Sequence, residues 1–300
     1  MSDVPSTLTE FQRYASLIEP LIAAPSFTPG TETATAVQVE RGSLFPLVLS
    51  RSPPDDRVER LIELTRAGGL HRVAVIDAAG HHRPLYRPML VYAFIQAFRT
   101  VYESLPPSEF GRWEESTRAF ADLLEAELGD VTWDETFTLA ARGANVADIA
   151  WTALALHAAG KVFIRDAWID LASDVFGKIT RAQQPAGPFL LAGASDNPET
   201  HGYHELAILH AAASYAVQAE DRTLAAAVER STAFHMNETQ PDHATAQPFA
   251  LFSFVWNSGT RPFADQVLHA VQTNRPTPSA DIASILLADT LYCLRLFTAR

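Results

Sequence analysis

Five of the ten histidines in this chain fall between His201 and His243. The run Glu199-Thr200-His201-Gly202-Tyr203-His204-Glu205 is followed by His210, then by His235-Met236-Asn237-Glu238 and Asp242-His243. Imidazole is the side chain most easily tuned to exchange protons near neutral pH, and a tyrosine joins it when its hydroxyl is activated. A pair such as Tyr203 and His204 at a helix start can therefore act as acid and base. His235 shares the helical period of Leu224, Val228 and Ser231, so it is expected to face inward and complete the catalytic set. His201, Glu205, Asn237 and His243 are the neighbouring polar groups that would bind a substrate.

The same residue types have plainer uses. His210 sits on a partly apolar face and reads as a hydrogen-bonded core histidine. Asn237 and Asp242 suit turns and caps, and Tyr203 suits ordinary packing. A metal site is another reading, because His201-x-x-His204-Glu205 with His235 or His243 supplies imidazole and carboxylate ligands. The spacing follows neither His-Glu-x-x-His nor His-x-x-Glu-His, so no ligand set is assigned and no cofactor is expected, a divalent metal being the alternative. Phosphate-cradling and dinucleotide-binding glycine loops and the Gly-x-Ser-x-Gly elbow are absent. Asp55-Asp56-Arg57-Val58-Glu59 lacks the final aspartate of a diphosphate-binding cluster. His81-His82 reads as exposed turn residues.

These residues have to be positioned by helices. Tyr203 to Ala219 and Arg222 to His235 form one helical hairpin, with Asp221 as the N-cap of its second arm, so the ends near His204 and His235 lie on the same side. Ala246 to Trp256 and Thr260 to Val271 form another, across Asn257-Ser258-Gly259, with Thr260 as N-cap and Pro262 in the first turn. Earlier helices are expected over Thr7–Ala24, with Phe11, Leu17, Ile18, Leu21 and Ile22 inward, and over Asp55–Ala67. Further helices follow around Leu90–Val101, Phe110–Leu128, Asn145–Leu156 and Trp168–Ile179. Ser279 opens a last helix that is apolar almost all round from Ile282 to Phe297 and should be central. The β signal is small: Val37 and Val39 suit a short strand, and His71 to Tyr86 reads as a β-hairpin turning at Asp77–Gly80. The expected fold is all-α, an α/α toroid or incomplete ring of antiparallel helical hairpins with that β-hairpin inserted near 71–86. One helical domain spans 1–300, with a sub-boundary in the proline-rich 184–199 loop.

Composition narrows the partners. The formal charge of −12 repels phosphate backbones and anionic lipid, which argues against nucleic acid and membrane surfaces. No apolar run reaches membrane-spanning length, and Met1 to Glu10 has no secretory pattern. The single cysteine, Cys293, lies in an apolar run and excludes an internal disulfide, so a reducing, cytoplasmic setting is expected.

The stretch from about Asn145 to Val271 resembles helical-toroid enzymes of carbohydrate chemistry, in particular the helical domain of heparinase-II/III-like and alginate-type polysaccharide lyases. The residues that carry the resemblance are Thr200-His201-Gly202-Tyr203-His204-Glu205 and Asn237-Glu238-Thr239-Gln240-Pro241-Asp242-His243. It implies a Tyr/His pair that removes the proton beside a uronate carboxylate while polar neighbours stabilise the enolate-like charge. Tyr203 and His204 would then be the acid and base candidates, and Asn237 and His235 would polarise the carboxylate. Such lyases usually carry a secretion signal and a large β-sandwich domain, which this sequence lacks, and its acidity disfavours long polyanions. The expected function is a lyase-like acid/base enzyme on a small sugar or oligosaccharide. The alternatives are a non-catalytic helical binding or scaffold protein and a histidine-rich metal-dependent enzyme.

Overall fold

The computed structural model describes residues 4–22, 36–38, 74–76, 86–101, 107–129, 146–189, 198–238, 248–274 and 280–298. The described part is mainly α-helical. The helices are α1 (Val4–Ile18), α2 (Tyr86–Val101), α3 (Pro107–Gly129), α4 (Val146–Phe163), α5 (Asp166–Ala182), α6 (Pro198–Ala219), α7 (Arg222–Glu238), α8 (Leu251–Trp256), α9 (Arg261–Asn274) and α10 (Ala280–Thr298).

Burial sorts these helices into two kinds. In α4, every residue from Val146 to Gly160 except Asp148 is buried. In α6 the same holds from Glu205 to Val217, and in α10 from Ile285 to Leu291. A helix apolar on all sides must be surrounded, and these three, with α2, pack in a closed circuit: α2 on α4, α4 on α6, α6 on α10, α10 back on α2. The flanking helices are amphipathic. In α5, Trp168, Ala172, Val175, Phe176 and Ile179 form one buried stripe. In α3 the stripe is Trp113, Thr117, Phe120, Leu124 and Leu128, as their spacing predicts.

Two hairpins end in the same way. At the end of α4, Ile164 takes a left-handed conformation (φ 52°) and the Arg165 N–H reaches the Gly160 carbonyl at 3.0 Å. At the end of α6, Glu220 does the same (φ 57°) and the Asp221 N–H reaches the Ala216 carbonyl at 3.0 Å. This six-to-one closure satisfies carbonyls that the helix end would otherwise strand. Asp221 then caps α7, its Oδ1 accepting from the Thr223 and Leu224 N–H groups. After the first turn, Arg165 pairs with Asp122 and Glu125 and lies over the Trp168 ring, tying the corner to α3. Gly160 lets α5 come close: a Cβ there would stand 2.7 Å from Ile169 Cγ1 and 3.2 Å from the Arg165 carbonyl.

Several expectations change. In α1 the inward positions are Phe11, Tyr14 and Ile18, while Leu17 is 38% exposed. The Tyr14 ring is buried and its hydroxyl donates to the Arg261 carbonyl, a position that the apolar count passes over. Of the helix expected over Ala246–Trp256, residues 248–256 are described and only the six of α8 are helical, because Ala250 is left-handed (φ 59°, ψ 13°) and cannot extend it backward. Thr260 does not cap α9: its hydroxyl donates to the carbonyls of Phe254 and Asn257. Asn257 is the cap instead, for the 3₁₀ turn Ser258–Thr260, accepting from the Gly259 N–H. Among the described residues the β content is two three-residue strands, β1 (Ala36–Gln38) and β2 (Ala74–Ile76), paired in parallel in the register Ala36–Ala74 to Gln38–Ile76. The turn and return of the hairpin expected over 71–86, the helix expected over Asp55–Ala67 and the His81-His82 pair lie outside the described residues.

One buried group makes the fold pH-sensitive. His157 on α4 is 1% exposed, packs edge-on against the Tyr215 ring at 4.8 Å, and has no hydrogen-bond partner for either nitrogen among the described residues. Burial, aided by the charges of Lys161 and Arg99, lowers its pKa from 6.5 to about 4. Between those values the unfolded chain binds the extra proton, so acid favours unfolding. The contribution of this residue is fully present above pH 6.5 and is lost as pH falls toward 4, a loss of about 3 kcal/mol. Urea unfolding of His157→Phe should lack that part of the pH dependence. Ile164, β-branched, left-handed and 87% exposed, carries backbone strain without compensating burial. Ile164→Gly should raise stability by about 1 kcal/mol; an unchanged unfolding midpoint would mean that the turn holds no strain.

Candidate functional site

The described parts of the histidine-rich segments, 198–205 and 235–238, meet at one end of the α6/α7 hairpin. α6 begins at Pro198, so the backbone of His201, Tyr203 and His204 lies in its first turns. Seven residues into α6, Glu205 is 1% exposed, and His235 in the last turn of α7 is also 1% exposed. The His235 Nε2 stands 3.5 Å from Glu205 Oε2. The same carboxylate oxygen accepts the Phe189 N–H at 3.0 Å. A carboxylate beside an imidazole is the kind of pairing that acid/base chemistry draws on.

The segment that supplies Phe189 follows α5 and is strapped to α7. Gln183 donates to the carbonyls of Gly187 (2.8 Å) and Ala227 (2.7 Å), and the Arg230 guanidinium donates to its side-chain oxygen. Gly187 has φ 118°, a conformation that side chains resist. A Cβ there would also meet the Arg230 carbonyl at 2.8 Å and Phe234 Cβ at 2.9 Å. The turn can therefore lie on α7 only with glycine at this position, and the turn in turn delivers the Phe189 N–H to Glu205.

Of the residues singled out from sequence, the structure brings Glu205 and His235 together and leaves His204, next to Glu205, half-buried. Asn237 is exposed and donates to the Ala233 carbonyl one turn back, a local helix bond. The side chains of His201 and Tyr203, and the whole of His243, lie outside the described residues. Among the described residues no three histidine, cysteine, aspartate or glutamate side chains are grouped to hold a metal ion.

A second polar cluster, in the centre of the helix circuit, is not among those expectations apart from His210. Asp289 on α10 is fully buried. Its Oδ1 accepts the Tyr92 hydroxyl at 2.6 Å, and its Oδ2 lies 3.1 Å from His210 Nε2. The Ala250 N–H donates to His210 Nδ1 at 3.0 Å, so that nitrogen is bare and the ring proton sits on Nε2, facing Asp289. The Tyr92 oxygen accepts from Gln96 and Gln218, and Gln218 reaches on to Ser214. Burial, together with the Asp289 charge, pushes the Tyr92 hydroxyl and the Cys293 thiol well above their ordinary pKa values. The Trp151 ring stacks on His210 at 5.2 Å. The clue in the sequence was an acid, Asp289, in a helix otherwise apolar all round.

No protein-family model, curated protein or solved structure matches the chain. Among the described residues no helix is long and apolar enough to cross a membrane.

Gly187→Ala should lower stability in urea by about 2 kcal/mol, through the forced φ and the clash with α7. Gly111→Ala, with open space around its Cβ position, is the matched control and should be neutral or stabilising. Equal effects at both positions would show that the turn moves off α7 without cost.

Proposed function

We propose that this protein is a lyase-like acid/base enzyme acting on a small sugar or oligosaccharide, with its site at the His204/His235 end of the α6/α7 hairpin. The observation that carries the reading is the buried Glu205–His235 pair, 3.5 Å apart, beside the half-buried His204. In this reading His204, with Tyr203, meets the substrate, while Glu205 and His235 hold and return the proton behind them. The carbohydrate assignment is supported by the resemblance of the His201–Glu205 and Asn237–His243 stretches to helical polysaccharide lyases. The reading keeps a ring of helical hairpins as the architecture. The cyclic packing of α2, α4, α6 and α10, flanked by α3, α5 and α7, supports it. A reducing, cytoplasmic setting fits the lone, buried Cys293.

A thermal-shift screen against monosaccharides, oligosaccharides, uronates and divalent metals tests this directly, run on the wild type and His204→Ala in parallel. A ligand at about 100 times its dissociation constant adds roughly 2.7 kcal/mol, enough for a visible shift. The expected result is a uronate- or sugar-dependent shift that His204→Ala abolishes, followed by turnover that Glu205→Gln slows. An unchanged ligand response in His204→Ala removes that residue from the site. No shift with any sugar would hand the reading to the helical scaffold, and a shift with metals alone would hand it to a metalloenzyme.

A further inference from the structure

The His210–Asp289 pair is built so that one proton changes what it holds. In the present state the imidazole is neutral: Nδ1 accepts from the Ala250 N–H, and Nε2 faces the Asp289 carboxylate. Ala250 is fully buried and left-handed. Its carbonyl starts α8 by accepting from the Ser253 N–H and hydroxyl and from the Phe254 N–H. An alanine in that conformation needs an outside restraint, and the His210 bond to its N–H supplies one. A second proton on His210 would sit on Nδ1 and point at the Ala250 N–H across 3.0 Å, donor against donor. On its other side the ring would gain, because the buried Asp289 charge would acquire a counter-ion.

We propose that His210 is a proton-operated clamp: neutral, it ties α8 to α6; protonated, it keeps its hold on Asp289 in α10 and lets go of Ala250. The titratable group facing it is Asp289 from α10; against that carboxylate lie Cys293 from the same helix and Tyr92 from α2. From α2 and α6 come the neutral Gln96, Gln218 and Ser214; α4 presents the Trp151 ring and the α8 side presents Phe249 edge-on. Asp289 is thus the only one of these that meets the imidazolium with charge. What moves on release is more than one turn of chain. α8 packs against α6, α7, α9 and α10, so it shares with α1, through the Tyr14 bond to Arg261, the work of holding α9 on the core. The clamp stands apart from the Glu205–His235 pair and does not depend on the enzymatic reading.

Amide hydrogen exchange as a function of pH tests the clamp, with rates converted to protection factors. Between about pH 8 and about pH 5, protection at Ala250, Ser253 and Phe254 should fall about tenfold more than at Ala153–Leu156 in α4. His210→Gln can accept from Ala250 and donate to Asp289 but takes no proton, so it should erase that difference. A parallel fall in α8 and α4 in the wild type overturns the proposal, as does a difference that survives in His210→Gln. Should the variant not fold, imidazole ¹⁵N spectra of the wild type decide: the clamp requires a bare Nδ1 at about pH 8, and a proton there at that pH refutes it.

Discussion

A carboxylate shut away from water has to be met by donors, and that demand organises the centre of this molecule. Asp289 is reached by Tyr92 from α2 and by His210 from α6, one on each oxygen. Apolar packing alone tolerates sliding, since leucines and alanines on all-round apolar helices can interdigitate in more than one register. A buried carboxylate, a phenol and an imidazole leave far fewer choices, because each misplaced partner strands a polar group in a dry core. The network therefore specifies how α2, α6 and α10 align, and the surrounding aromatic and aliphatic side chains supply the burial.

Helix α6 carries two imidazole–carboxylate pairs with reversed roles. It gives the carboxylate, Glu205, to His235 on α7, and the imidazole, His210, to Asp289 on α10. Five residues apart, the two side chains leave the helix about 140° from each other, so they serve opposite neighbours. One looks toward the strap after α5 and the end of α7, where the sequence gathers its reactive side chains. The other looks into the closed centre. The outer pair shares its carboxylate with one backbone donor, Phe189; the inner one shares its imidazole with another, Ala250. In both cases an ionisable side chain fixes the path of an irregular segment that has no helix of its own to hold it.

Helix positions and faces were legible because periodicity is a local signal. The stripes of α3 and α5, the inward turn of His235 and the cap at Asp221 all follow from residues within a few turns. The Glu205–His235 pairing was half legible: both residues stood out, but the Phe189 N–H that completes it has no sequence signature, since every residue but proline carries one. The central network was less visible still. An acid inside an apolar helix announces a need for donors, yet its partners sit 79 and 197 residues away and look like ordinary helix residues where they stand. Local rules failed at Ala250 for the same reason. Its left-handed backbone answers to His210, 40 residues earlier, and not to its neighbours.

The 197-residue reach between Tyr92 and Asp289 also orders events in time. A ribosome delivers α2, α4 and α6 well before α10, and until then the Tyr92 hydroxyl and His210 Nε2 face a gap where their acceptor belongs. The earlier helices can pair into hairpins as they emerge, but the circuit among them closes only with the arrival of its last member. Completion of the core is thereby reserved for chains translated past Asp289. A prematurely terminated product would keep its polar groups wet and its apolar faces open, in a form that chaperones and proteases distinguish from the finished protein.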